Sequence, residues 1–307
     1  MSAAMDRKAF LTLLGLGGVA VASRLSGFAA PLGALAPLTP ARTDFHFVQL
    51  SDTHWGYHGP ANPDAAGTLP RAIEAVNRLA HSPDFIVFTG DLTHDTDDPK
   101  ERRARMARFK ELVGGLAVKR RYFLPGEHDA GADRGEAFRE LFGPTHYTFD
   151  HGGFHFIALD NVSAPGSKLG EAQLTWLADD LSRLDHGQPI VVFAHRPLFD
   201  LYPDWDWATL DGADALALLQ PFRYVTVFYG HIHQQHHVMT GHIAHHAAAS
   251  LIFPLPAPGS MPKRAPVPWD PAAPYRGLGL RDLDARAGSK ARPAAEVPFT
   301  DLPLVMP

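Results

Sequence analysis

Two rhythms of apolar and polar residues alternate along this chain. Short runs of β-branched and aromatic residues predict buried strands: Phe47-Val48-Gln49-Leu50, Phe85-Ile86-Val87-Phe88, Tyr122-Phe123-Leu124, Ile190-Val191-Val192-Phe193 and Tyr224-Val225-Thr226-Val227-Phe228. Between them, Leu69, Ala72, Ile73, Val76 and Leu79 recur at helical spacing. A basic amphipathic helix is expected over 99–113, with Pro99 in an early position where its missing N–H costs nothing. Its Lys100, Arg102, Arg103, Arg105 and Arg108 are read as a solvated helix face rather than an anion patch. Gly170 to Leu177 opens another helix, and 213–219 forms a short one before the fifth run. His151-Gly152-Gly153 sits between two alternating segments and reads as a hairpin turn. A second hairpin is expected from His236-His237-Val238-Met239 through Thr240-Gly241 to His242-Ile243-Ala244-His245-His246. Strands alternating with helices define an α/β layered domain.

The ends of the chain follow a different pattern. Arg7-Lys8-Ala9-Phe10-Leu11 precedes an apolar stretch over 10–22, too short to span a bilayer comfortably, and small residues follow. This order is that of an export signal, over residues 1–29, and it resembles a twin-arginine signal with Lys in the second basic place. A disordered or membrane-anchoring N-terminus is the other reading. The first implies periplasmic or exported localisation, with no stable membrane insertion after processing. Residues 30–41 form a Pro/Ala/Gly/Leu linker, 42–252 the layered domain, and 253–307 a Pro-rich C-terminal arm expected to wrap it.

Each of the five strand runs ends in metal-ligand residues: Asp52-Thr53-His54, Gly90-Asp91, Gly126-Glu127-His128-Asp129, His195 and Gly230-His231-Ile232-His233. In open α/β sheets such residues gather beyond the carboxyl ends of the strands, so all five point at one crevice. The composition sharpens this, with 18 His and no Cys. Without thiolates, any metal must be held by imidazole and carboxylate. A net charge of −5 argues against a general binder of nucleic-acid polymers or anionic membranes.

The ordered set Asp-x-His, Gly-Asp, Gly-x-His-Asp, His and Gly-His-x-His resembles the calcineurin-like metallophosphoesterase family. The resemblance runs from about Phe45 to Ser250 and includes Phe149-Asp150-His151-Gly152-Gly153, Leu159-Asp160 and Leu169-Gly170 with Gln173, Trp176 and Leu177. It implies a four-layer α/β/β/α sandwich of two mixed sheets flanked by helices. It also implies two divalent or trivalent ions (Mn, Fe, Zn or Co) about 3.5–4 Å apart, clamping both oxygens of an in-line displacement. Asp91 would bridge them, Asp52, His54 and His233 would complete one site, and Glu127, His195 and His231 the other. A hydroxide between the metals would be the nucleophile, His128 the general acid or stabilising cation, and Asp129 the group orienting its ring. Glu127 departs from the family, which normally has Asn there. It adds a negative charge and removes an amide donor that would face the phosphate.

Other candidates stay open. His236, His237, His242, His245 and His246 could form a further metal site or line the catalytic mouth, or be surface residues; on alternating strand faces, only some can meet one ion. Trp205 and Trp207 either stack a base and cover the cleft or pack against the C-terminal arm. His58, His94 and Asp95 either contact the substrate or are ordinary polar loop residues. The expectation is an exported phosphodiesterase or phosphomonoesterase, like the cyclic-nucleotide phosphodiesterases, acting on a small phosphate ester. The alternative is a non-hydrolytic periplasmic metal-binding or accessory protein. Oligomeric state is not legible in the sequence.

Overall fold

The computed structural model describes residues 44–285 and 296–298, so the expected export signal and linker lie outside the described residues. All five apolar runs form strands. The first three are β1 (Phe45–Leu50), β2 (Phe85–Thr89) and β3 (Arg121–Leu124). They are followed by β4 (Tyr147–His151), β5 (Phe154–Ala158), β6 (Ile190–Phe193) and β7 (Val225–Tyr229). The His-rich hairpin forms β8 (His236–Thr240) and β9 (Ile243–Ala247), and the C-terminal segment adds β10 (Gly279–Ala285) and β11 (Glu296–Pro298). One sheet has the order β11-β10-β1-β2-β3, the other β4-β5-β6-β7-β9-β8. Both are mixed: β1, β2 and β3 run parallel, as do β5, β6, β7 and β9, with antiparallel strands at the flanks.

Helices α1 (Ala65–Asn77), α2 (Pro99–Val113), α3 (Glu127–Ala130), α4 (Glu136–Phe142), α5 (Glu171–Leu181) and α6 (Gly212–Leu219) complete the layers. Asp98 starts α2 as expected of an N-cap, its side chain accepting from Lys100 N at 2.8 Å and Glu101 N at 3.4 Å, with Pro99 following.

The period of two along each strand sorts its residues between layers. Val48, Leu50, Ile86 and Phe88 pack outward on Leu69, Ile73 and Val76 of α1 and on Met106 and Phe109 of α2. Their alternates Phe45, Phe47, Phe85 and Val87 pack inward against Phe156, Val191, Phe193 and Phe228 of the second sheet. Ile190, Val192, Val225 and Val227 face away, onto Leu177 and Leu181 of α5 and Leu216 and Leu219 of α6. The result is the expected four-layer sandwich. The aromatic layer between the sheets interlocks: Phe47 stacks on Phe85 at 4.9 Å and meets Phe228 edge-on at 5.8 Å. Truncating one such ring costs about 3–5 kcal/mol, so this layer fixes how the two sheets are set.

The segment read as an arm does more than wrap the domain. β10 pairs antiparallel with β1, from Phe45 opposite Ala285 to Gln49 opposite Arg281, and so joins the sheet beneath the crevice. Its alternation was hidden because Arg281, a polar residue, is buried between Leu280 and Leu283 and donates to Ala247 O at 2.9 and 3.1 Å. Gln173 at the start of α5 exchanges hydrogen bonds with the Asp160 backbone at 2.8 and 2.6 Å, tying that helix to the loop after β5. No helix of the described residues is long and apolar enough to cross a membrane.

Candidate metal centre

The five clusters converge beyond the carboxyl ends of β1, β2, β3, β6 and β7, and the backbone is forced there. Asp52, His54, Asp91, His231 and His233 all have left-handed φ, between 41° and 66°. Such conformations cost about 1–3 kcal/mol each in non-glycine residues and persist only where the surroundings over-determine them. Gly90, at φ 93°, makes the tight turn that carries the chain from β2 into Asp91. Gly126 and Gly230 serve a different purpose, close approach: a Cβ at 126 would collide with the Asp91 carboxylate and amide, and one at 230 with Ser51 Oγ.

Two four-residue donor groups result. Asp52, His54, Asp91 and His233 bring ligand atoms within 4.8 Å of one another, and so do Asp91, Glu127, His195 and His231. Asp91 belongs to both. Its Oδ2 lies 3.4 Å from His54 Nε2 and 3.4 Å from His195 Nε2, while Oδ1 accepts from the His128 backbone at 3.0 Å. The structure therefore brings together all seven residues expected to hold metal, in the expected two sets.

The donors suit cations. His195 Nδ1–H donates to Thr89 O at 2.7 Å, His233 Nδ1–H to Phe253 O at 2.8 Å, and His231 Nε2–H to Asp206 O at 2.9 Å. Each carbonyl fixes the tautomer and turns the other ring nitrogen, a lone pair, into the centre. Burial holds the His54 and His231 imidazoles below their ordinary pKa, which favours the neutral ligand form. His195 Nε2 and Glu127 Oε2 are buried 2.8 Å apart yet off-line for a hydrogen bond, so both atoms lack one. Two orphaned acceptor sites facing one point fit a cation there. Glu127 Oε1 lies 2.7 Å from His231 Nδ1, the ring nitrogen turned into the centre.

His128 stands over this centre with Nε2 4.0 Å from Asp91 Oδ2. Its orienting partner is not Asp129. The Asp129 carboxylate, at the third position of α3, points back into the turn and accepts from Leu92 N, Thr93 N, Thr93 Oγ1 and Gly126 N, all at 2.9 Å. The group that grips the His128 ring is Asp95, whose Oδ1 accepts from Nδ1–H at 2.9 Å. Burial lowers the His128 pKa, but Asp91, the Asp95 hydrogen bond and Glu127 override it and push it up to about 10. His94 stacks on the same ring at 5.0 Å and completes a cluster with His54 and His128. The sequence placed His94 and Asp95 near substrate without a role.

Arg196 was missed altogether. It is buried, with Nη1 4.0 Å from Glu127 Oε2, Nε donating to Ala208 O at 3.1 Å, and Nη2 bound to the Asp206 carbonyl and carboxylate. Its only sequence signal is a cation directly after a ligand histidine at a strand end. The cavity over the centre, about 150 Å³, is lined by His54, Asp91, Glu127, His128 and His233 together with Phe253, Leu255 and Arg264 of the C-terminal segment.

The hairpin histidines separate. His236 meets the Tyr229 hydroxyl at 2.9 Å, His242 the Phe222 carbonyl at 2.6 Å, and His245 is buried beside Thr240 Oγ1 at 2.7 Å. His237 and His246 stack at 4.5 Å. Among the described residues they form no group able to hold a metal, and none lines the cavity. Trp205 and Trp207 are buried with Tyr229, Ile232 and Leu255, which is the packing reading. His58 is absent from the cavity wall as well.

Two facing mixed sheets with a carboxylate shared between two His-rich donor sets define a metal-dependent phosphoester hydrolase. Residues 45–235 match the calcineurin-like phosphoesterase family, and the chain belongs to it. The serine/threonine-protein phosphatase CPPED1 of Danio rerio is 27% identical over 217 residues, 62% of this chain and 70% of its own length. A probable cyclic nucleotide phosphodiesterase of Rhodopseudomonas palustris is 27% identical over 252 residues, 70% of this chain and 84% of its own. The purple acid phosphatase PPD1 of yellow lupin shares the fold, with a TM-score of 0.63 at 13% identity over 86% of this chain. The present chain spans about half of that enzyme, 53%.

Proposed function

We propose that the protein hydrolyses phosphodiesters or phosphomonoesters at a binuclear metal centre, and that it is exported. The observation that carries the reading is Asp91 Oδ2, placed equally at 3.4 Å from a histidine of each donor set, with His128 above it. Asp52, His54 and His233 would hold one ion and Glu127, His195 and His231 the other, with Mn, Fe, Zn or Co all acceptable to this donor set. When bound, the ions polarise the phosphoryl oxygens and bring a water pKa towards neutrality.

The residues of the chain supply the rest. Asp95 anchors His128 Nδ1–H, so the Nε2 proton is the one presented to a leaving alkoxide. The neighbouring carboxylates keep that proton in place. Asp129 acts earlier, clamping the turns that carry Asp91 and His128. Names of relatives support both ester classes, and the diesterase one supports cyclic nucleotides as a substrate class. The export order of residues 1–29 supports a periplasmic site of action.

The test is hydrolysis of p-nitrophenyl phosphate and bis-p-nitrophenyl phosphate by metal-loaded protein, with metals counted on the same sample. Turnover that disappears in His128→Ala at unchanged metal content supports the reading. Two tightly held ions with no turnover of either ester would instead favour a metal-binding role, for which the Glu127 bridge between His195 and His231 is the supporting observation.

A further inference from the structure

The cavity over the metal centre has one wall that the five clusters do not build. Phe253, Leu255, Arg264, Ala265 and Pro266 come from the C-terminal segment and line the same cavity as the histidines and carboxylates of the centre. Phe253 fixes this wall: its carbonyl binds His233 Nδ1–H, and its ring stacks over His54 at 6.0 Å and against Tyr57 at 5.3 Å. Among the described residues, Arg264 is the only Lys or Arg lining the cavity. Arginines elsewhere in the described residues are largely engaged, as Arg103 is with Glu136 and Glu140, Arg105 with Glu101 and Arg196 with Asp206. Arg264 makes no ion pair or hydrogen bond among the described residues and is exposed.

An exposed arginine without an ion pair, lining an anion-processing cavity, is suited to recognise a phosphate. It also answers the charge problem posed by Glu127, which places a carboxylate on the wall where a phosphate must enter. We infer that Arg264 reads the charge of the substrate, binding the non-bridging oxygens of a phosphomonoester dianion and so favouring monoesters over monoanionic diesters. This rests on the phosphoesterase reading. A dianion offers three terminal oxygens to a planar fork of donors, whereas a diester offers two and one charge fewer.

The experiment compares full-length metal-loaded protein with Arg264→Gln and Arg264→Lys on two esters sharing a leaving group, p-nitrophenyl phosphate and p-nitrophenyl methyl phosphate. Calorimetry with inorganic phosphate supplies a readout independent of turnover. The expected result for Arg264→Gln is a loss of about tenfold or more in kcat/KM for the monoester, mostly in KM, and less than about threefold for the diester. The Kd for phosphate should rise by a similar factor, and Arg264→Lys should recover part of both. Equal losses on the two esters, or an unchanged monoester kcat/KM and phosphate Kd, would overturn the inference alone. Phosphate binding that depends on Arg264 without turnover of either ester would support it and overturn the hydrolase reading instead.

Discussion

Asp95 Oδ1 and His128 Nδ1 lie 2.9 Å apart at the mouth of the centre, while Asp129, the next residue in sequence to His128, turns its carboxylate away into four other donors. The two acidic residues therefore have separable duties. Asp95→Asn should lower kcat by roughly ten- to a hundredfold with metals retained, as expected when a ring loses its anchoring carboxylate. His128→Ala should cost about 10²–10⁴-fold. Asp129→Asn should act first on stability, since an amide would oppose N–H donors with an N–H of its own, and its melting temperature should fall even in metal-free protein. Steady-state kinetics and calorimetry on the three variants separate these outcomes.

Gly126 passes so close to Asp91 that any side chain displaces the shared carboxylate. Gly126→Ala should cost about 1–3 kcal/mol, and elemental analysis of the purified variant should find fewer than two ions per chain. An alanine variant with full metal content and normal melting would show that the loop yields more easily than its packing implies.

Removing metal should destabilise the fold, because Asp52, Asp91 and Glu127 are held close together by backbone that unfolding releases. Ligands that bind only the folded state stabilise it by about 4 kcal/mol at a thousand times Kd. Chelation should therefore lower the melting temperature by several degrees, with recovery on adding back Mn or Zn. Glu127→Asn should then raise diester turnover by roughly two- to fivefold, the worth of one solvent-screened charge. Unchanged or lower turnover at full occupancy would show that Glu127 is not inhibitory.

His245 gives the protein an acid weakness far from the catalytic step. Burial, with His237 nearby, pushes its pKa down to about 4 from an ordinary 6.5. In the fold it stays neutral where the unfolded chain takes up a proton, so stability is complete above pH ~6.5 and falls as pH drops towards ~4. The loss is at most about 3 kcal/mol. Denaturant titrations between pH 7.5 and 4.5 should show that decline, and His245→Gln should make it shallower, with His246, pushed down to about 3 by burial, contributing to what remains.

Most of the scaffold was legible because strand and helix periods are local properties. The runs ending at Leu50, Phe88, Leu124, Phe193 and Phe228 gave both the sheets and the ligand positions, since a strand's end fixes where the next residues point. What escaped was set by distance in space. Asp129 adjoins His128 in sequence, but at the third position of a short helix its side chain must turn back to the amide of Gly126. Asp95 reaches His128 only because β2 and β3 are neighbours. The hairpin histidines looked like a cluster in one dimension, yet adjacent residues on a strand face opposite sides. β10 was hidden because Arg281 occupies a buried position where an apolar residue would have completed the alternation.

The pairing of β1 with β10 sets a timetable for synthesis. The strand that delivers Asp52 and His54 leaves the ribosome well before its partner, and its outer edge stays unpaired until residues 279–285 follow. At about 5–20 residues per second that wait is on the order of ten to fifty seconds. Phe253, whose carbonyl sets the His233 ring, also arrives late. The nascent chain thus carries an open strand edge until β10 emerges, and the His233 ring is set only after Phe253 has been made.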